Sequence, residues 1–193
     1  MCFYGDRTKK EIYLSFDDGP TEYSTIAILD LLDEYDAKAS FFCLGESVLQ
    51  YPELFGSIKS RGHTIGNHGF YHYDGWKSSK EQYVHNANQG ALRTSSGLLR
   101  PPYGHLNPLH YFSLKEKHDL VFWDIMPGDF EDDATSAQIG SRLLKATEGS
   151  IIVLHDRMEC YERFAEPLAQ FIQEYKAQGY EFKAMEPKAF RKE

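Results

Sequence analysis

Cysteine is scarce in this chain of 193 residues. Cys2, Cys43 and Cys160 form no Cys-x-x-Cys pair and leave one thiol over in any disulfide scheme. Neither a disulfide framework nor a cysteine metal knuckle is written here. An excess of basic charge is also missing. The net charge is -8, and lysines and arginines are scattered rather than gathered on one stripe, which argues against nucleic acid as a partner. No apolar run approaches the roughly 20 residues of a membrane-crossing helix, so no transmembrane segment is expected. Low-complexity linkers and charge blocks are absent, and residues 1–193 read as a single domain. The start, Met1-Cys2-Phe3-Tyr4-Gly5-Asp6-Arg7, lacks a basic stretch followed by an apolar run. It therefore shows no signal peptide, reading as cytoplasmic as it stands and as secreted or envelope-bound if a leader precedes it. The compartment and the oligomeric state stay open.

Aromatic residues are plentiful, at 15% of the chain; a Tyr- and Phe-rich core is the favoured reading, with an open groove for an extended substrate as the alternative. The hydrophobic periodicity alternates between the two regular elements. Residues 10–16 alternate apolar and polar through Ile12, Leu14 and Phe16 and stop at Gly19-Pro20, as a strand feeding a loop does. Helical spacing follows over residues 24–36, 47–60, 78–94, 107–117, 135–146 and 162–178. Strands are expected between them at 39–44, 63–66, 98–100, 120–125 and 151–154, with a last one at 181–184. Repeated βα units imply an α/β fold with a mostly parallel sheet, either open or closed. A ring is favoured. Asp17, Asp18, His68, Arg100, Asp129 and His155 nearly all follow the carboxyl end of a different strand, and in a ring those ends converge on one mouth. The expected architecture is an irregular (β/α)7-type barrel with helices outside.

One cluster of residue types suggests chemistry. Asp17-Asp18 ends the first strand, and His68 and His72 supply two imidazoles. A carboxylate and two imidazoles can hold a zinc-like ion and leave one carboxylate over as a candidate base for a metal-bound water. Side chains alternate along a strand, so Asp17 and Asp18 should face opposite sides and divide those tasks. The spacing of His68 and His72 matches that of zinc proteases, but Gly69 stands where their general-base Glu would be, and that reading fails. The five other histidines, His63, His85, His105, His110 and His118, read as surface or core residues.

Five ordered motifs extend the cluster. They are Ser15-Phe16-Asp17-Asp18-Gly19-Pro20, His68-Gly69-Phe70-Tyr71-His72, Arg100-Pro101-Pro102-Tyr103-Gly104, Trp123 followed by Asp129, and Leu154-His155-Asp156. Together they resemble the polysaccharide deacetylases of carbohydrate esterase family 4, the chitooligosaccharide deacetylase homologues. The resemblance implies that Asp17 is the general base and that Asp18, His68 and His72 bind a divalent metal, usually zinc, with cobalt or another ion as alternatives. It implies that Arg100 pairs with the base, that the Tyr103 amide helps hold an oxyanion, and that His155, partnered by Asp129, is the general acid. Pro101 and Pro102 lack an N–H, which makes Tyr103 the first main-chain donor after Arg100. Trp123, Pro102, Tyr103 and Leu154 are implied to line the substrate site, with Trp123 and Val153-Leu154 as walls of an acetyl pocket. Trp76, near the metal loop, fits a sugar-stacking or a structural role. Three departures from the family pattern stand out: Gly69 replaces a usual Ser or Thr, Met126 a usual polar residue, and Val153 a frequent Leu.

The implied reaction is removal of N-acetyl groups from N-acetylglucosamine units of a chitin-like or peptidoglycan-like glycan, with carbohydrate as the partner. The alternatives are an acetyl-ester or small non-sugar amide hydrolase of the same family, and a non-catalytic glycan-binding domain. Binding alone needs neither base nor acid, and Asp17, Arg100 and His155 are all present. A purely structural domain would require five ordered coincidences.

Overall fold

The computed structural model describes residues 1–186. Strand β1 (Glu11–Asp17) is buried from Ile12 onward and forms the hub of the sheet. It pairs in parallel with β2 (Ala39–Cys43) on one side and with β6 (Ile151–His155) on the other. From β2 the sheet continues through β3 (Thr64–Asn67) and β4 (Leu98–Leu99) to β5 (Asp119–Leu120). A last strand, β7 (Glu181–Phe182), joins the start of β1. All of these pairings are parallel, as repeated βα units require.

The two edges of this sheet meet. Residues 120–125 were expected as one strand, but only the first of them belongs to β5; the segment then leaves β4 and bridges Ile125 to Ile152 of β6. Val153 N–H donates to the Ile125 carbonyl at 3.0 Å. One stretch of chain serves both edges, so neither pairing runs long. The 120–125 segment therefore closes the ring from β5 to β6, giving the irregular parallel barrel that the sequence suggests, with β7 beside β1 off the ring.

Side-chain alternation sorts β1 into two layers. Ile12, Leu14 and Phe16 pack outward into the main core against the helices, where α1 (Ser24–Glu34) contributes Ile28, Leu29, Leu31 and Leu32. Helix α7 (Met158–Ala177) adds Phe164, Leu168, Phe171 and Ile172 at helical spacing. Tyr13 faces the barrel interior with Phe42, Leu98, Val121 and Ile151. Burial of such a side chain contributes roughly 1.5–3 kcal/mol, so the outer core carries most of the stabilisation.

The helices follow their start signals closely. Helix α4 (Lys80–Thr94) opens on a reciprocal cap between Ser79 and Gln82, and α6 (Ser136–Leu143) on the same device between Thr135 and Gln138. Asn107 caps α5 (Pro108–Leu114). The single helix expected over residues 47–60 is two, α2 (Gly45–Gln50) and α3 (Pro52–Ser60). Pro52 has no N–H to continue the first and is well placed to start the second.

Candidate active site

Register brings the site together before any side chain is considered. Asp17 lies level with His155 of β6 and Phe42 of β2; Cys43 lies level with Asn67, and Asn67 with Leu99. The residues just past these ends, Asp18, His68 and Arg100, therefore rise from one row at the same mouth.

Asp17 faces the barrel interior, as Tyr13 does two turns of the pleat earlier. Its Oδ1 accepts from Arg100 Nη1 at 2.7 Å. Arg100 is fully buried, and the same nitrogen donates to Ser15 Oγ at 2.7 Å, while Nη2 donates to the Phe122 carbonyl at 3.1 Å. The guanidinium also lies 4.0 Å from the centre of the Phe42 ring. A cation clamped at this many points fixes the rotation of the Asp17 carboxylate and leaves Oδ2 facing the histidines, 3.8 Å from His68 Nε2.

Asp18 does not alternate away from Asp17 as a strand residue would. Its φ is +78°, so the chain has already left the strand, and its carboxylate turns back to the same mouth. Asp18 Oδ1 lies 3.6 Å from His68 Nε2 and 3.4 Å from His72 Nε2, with no hydrogen-bond donor of its own. The two carboxylates differ by their partners, Arg100 for Asp17 and two imidazoles for Asp18, rather than by pleat. The loop beyond them is tight: a Cβ on Gly19 would lie 2.1 Å from Asp156 Oδ2. Asp156 in turn accepts from Ser24 Oγ and Thr25 Oγ1, each at 2.6 Å, and so ties this loop to the start of α1. Burial pushes its carboxyl up to about 6 against the pull of those hydroxyls.

The donor set fits a divalent ion. His68 Nδ1 lies 2.8 Å from the Arg100 carbonyl, which can only accept, so Nδ1 carries the proton and the Nε2 lone pair points at Asp18. Burial, aided by neighbouring His68, holds the His72 imidazole neutral, with its pKa down to about 4. One ligand atom from each of Asp18, His68 and His72 lies within 4.8 Å of the others. Burial would raise the Asp18 carboxyl, yet it is held low; with both imidazoles neutral, the lasting positive charge beside it is Arg157. A buried acceptor without a donor, beside two imidazole lone pairs, is the arrangement a zinc-like ion satisfies.

Gly69 lies on the loop that joins the two histidines. Its φ is +87°, and a Cβ there would meet Asn86 Nδ2 at 2.6 Å. Amide side chains brace the loop where a hydroxyl would in the family pattern. Asn67 Oδ1 accepts from Gly69 N–H at 2.8 Å, and Asn86 both accepts from and donates to the Tyr71 backbone.

The opposite side of the mouth is built around His155. Its Nδ1 lies 3.0 Å from Asp129 Oδ1, and its backbone N–H donates to Asp129 Oδ2 at 2.7 Å. Asp129 is fully buried. Burial opposes a charged imidazole, yet the hydrogen bond and charge of Asp129, with Asp17 and Asp18 beyond, raise the His155 pKa above its ordinary value. Tyr103 adopts φ +59°, and Gly104 follows at +69°. This double left-handed turn, anchored by buried Pro102, sets the Tyr103 amide in the chain leaving Arg100. Trp123 packs close by, since a Cβ on Gly104 would lie 3.0 Å from its ring.

Leu154 is elsewhere. It pairs with Phe16 and sits in the outer core among the helices, because the pleat that turns His155 inward turns Leu154 outward. Val153, level with Ser15, shares the inward face with His155. Arg157 was not anticipated at all, although it directly follows the His155-Asp156 motif. Its Nη2 lies 2.5 Å from Asp18 Oδ2. Ser15, Asn67 and Asn86 were also missed as supports, since nothing in a lone polar residue marks which loop it will brace.

Residues 4–118 match the model of the polysaccharide deacetylase family. The chain belongs to that family. It is similar to the peptidoglycan-N-acetylmuramic acid deacetylase PdaC of Bacillus subtilis, 32% identical over 91% of this chain and 38% of the relative. Of PdaC, then, the deacetylase-family chain spans well under half the length. A peptidoglycan-N-acetylglucosamine deacetylase of Bacillus cereus is 32% identical over 90% of this chain and 85% of its own. Among solved structures, the Bc1960 peptidoglycan N-acetylglucosamine deacetylase, bound to an N-hydroxybenzamide, superposes with a TM-score of 0.89 at 26% identity, covering 95% of this chain and 90% of that one. Other structural neighbours are carbohydrate esterase family 4 members. Among the described residues no helix is long and apolar enough to cross a membrane.

Proposed function

We propose that this chain hydrolyses the N-acetyl group of N-acetylglucosamine units in a peptidoglycan-like or chitin-like glycan. The observation that carries the reading is a pair of differently prepared acid-base groups facing one three-ligand cluster: Asp17 on Arg100, and His155 on Asp129. A ligand-binding module needs neither. The Bacillus cereus relative, aligned over 85% of its own length, supports N-acetylglucosamine as the unit.

Asp18, His68 and His72 would hold the ion, zinc by the chemistry of one carboxylate and two imidazoles. When bound, it supplies a Lewis acid for the acetyl carbonyl and lowers the pKa of a coordinated water. The chain does the rest. Asp17 Oδ2, the oxygen not held by Arg100, takes a proton from water as the water oxygen attacks the carbonyl carbon. The Tyr103 N–H donates to the oxygen that becomes negative. His155, its Nδ1–H held by Asp129, donates from Nε2 to the amine nitrogen as the C–N bond breaks, leaving acetate and a free amino sugar. Trp123 and Val153 close the space beside the acetyl methyl.

The test is acetate release from chitin oligosaccharides and muropeptides by zinc-loaded protein. Asp17→Asn should reduce kcat by about 10²-fold or more, the scale of a lost general base. Release that survives this change would falsify the assignment of Asp17.

A further inference from the structure

Exposed large aromatics gather on the loops that follow β3 and β4. Trp76 is 69% exposed and Tyr103 58% exposed. The Trp76 ring is backed on one side. The Trp76 indole lies flat on the His105 imidazole, with centroids 3.4 Å apart and 12° between the planes. His105 Nδ1 lies 2.8 Å from Asp74 Oδ1, and the same oxygen accepts the Trp76 backbone N–H at 2.8 Å. A Cβ on Gly75 would come within 2.1 Å of the His105 carbonyl, so glycine lets the two loops touch. The indole is thus held with one face covered and the other toward solvent.

The rings form a row that leads away from the ligand cluster. His72 meets Tyr103 edge-on at 4.4 Å, Tyr103 lies 5.5 Å from His105, and His105 carries Trp76. A large indole left in water and fixed in orientation is a prepared contact surface, because little conformational freedom remains to be lost on binding. The bank carries little uncompensated charge. Asp74 is engaged by His105, by the Trp76 amide and, at 3.7 Å, by Lys77. Flat rings without spare charge match the C–H face of a neutral pyranose better than a charged peptide.

We propose that Trp76, backed by His105 and flanked by Tyr103, stacks a sugar unit neighbouring the one being deacetylated, so that the enzyme recognises an oligomeric glycan rather than a single sugar. This assignment rests on the deacetylase reading above.

The chain has two tryptophans, Trp76 and Trp123, which makes emission a direct probe. Chitin tetrasaccharide titrated into zinc-loaded Asp17→Asn protein should change tryptophan emission saturably. Adding Trp76→Phe should remove the Trp76 part of that change and leave the part from Trp123 at the acetyl pocket, while calorimetry still shows binding within a few-fold. Trp76→Ala in the same background should weaken the calorimetric Kd about ten-fold, the scale of one lost aromatic contact. With Asp17 intact, Trp76→Ala should raise KM for the tetrasaccharide by a similar factor and leave kcat and zinc affinity as they were. An unchanged Kd in Trp76→Ala overturns the proposal. So does a fall in kcat or zinc affinity at constant KM, which would make Trp76 a prop for the metal loop. Acetate release by the wild type is scored separately: binding that depends on Trp76 without any release would sink the deacetylase reading and keep the stacking site.

Discussion

Two side chains in the mouth, His155 and Arg157, each meet a carboxylate that decides what they can do. His155 is held charged-ready by Asp129, against a burial cost that favours the neutral ring. Replacing Asp129 with Asn keeps the shape and removes the charge, so the imidazole should lose its proton at lower pH. The alkaline limb of kcat against pH should then move to lower pH, with the acid limb in place. Arg157 is a different case. Its guanidinium sits on the second oxygen of Asp18, so it competes with any cation for that carboxylate. Arg157→Gln should tighten zinc binding several-fold, because a unit charge a few ångströms from the ion is repulsive even when partly screened. Calorimetry or competition with a chelating dye reads this directly, and looser binding would show that Arg157 chiefly orients Asp18.

Short strands and the loops after them carry the chemistry, and neighbouring helices hold those loops in place. The His68–His72 loop has glycine at 69 in a left-handed conformation and takes its rigidity from α4, through Asn86. Asn86 is buried and makes two hydrogen bonds to the backbone of Tyr71, next to His72 of the proposed metal cluster. Asn86→Ala should therefore raise the zinc Kd by about 10-fold, in the range found for outer supports of metal ligands. Thermal stability should fall by less than the metal affinity suggests, since α4 keeps its capping box at Ser79 and Gln82. Equal zinc affinity in the variant would mean that Asn67 alone secures the loop.

Across the whole molecule, stability is tied to pH through imidazoles buried away from the site. His63 accepts from the Ala39 N–H at 3.2 Å and packs edge-on against Phe41. Burial, with Lys38 nearby, pushes its pKa from 6.5 down to about 4. His118 is shifted the same way by burial. The unfolded chain binds protons at these rings below pH 6.5 while the fold does not, so stability is present at neutral pH and is lost as pH falls toward 4. The His63 share at pH 4.5 is about 2 kcal/mol. Urea midpoints at pH 7 and pH 4.5 should therefore converge in His63→Gln relative to the wild type; an undiminished gap would place the acid sensitivity elsewhere.

Much of this was written in order and type of residue. Alternating periods 2 and 3.6 dictate βα units, right-handed crossovers make the sheet parallel, and parallel strands send their carboxyl ends to one mouth. Residue type and spacing therefore singled out Asp17, Asp18, His68 and His72, and the ordered motifs of the family added Arg100 and His155. What needed the tertiary structure was everything set by backbone departures and by distant neighbours. Strict alternation misjudged Asp18, whose positive φ brings both carboxylates to one side, and the inward Val153 and outward Leu154 became distinguishable only once β6 was registered against β1. Arg157 on Asp18, Asn86 under the metal loop and Trp76 on His105 join residues far apart in sequence. Local pattern fixes which way a strand runs; only packing decides which loop comes to rest against it.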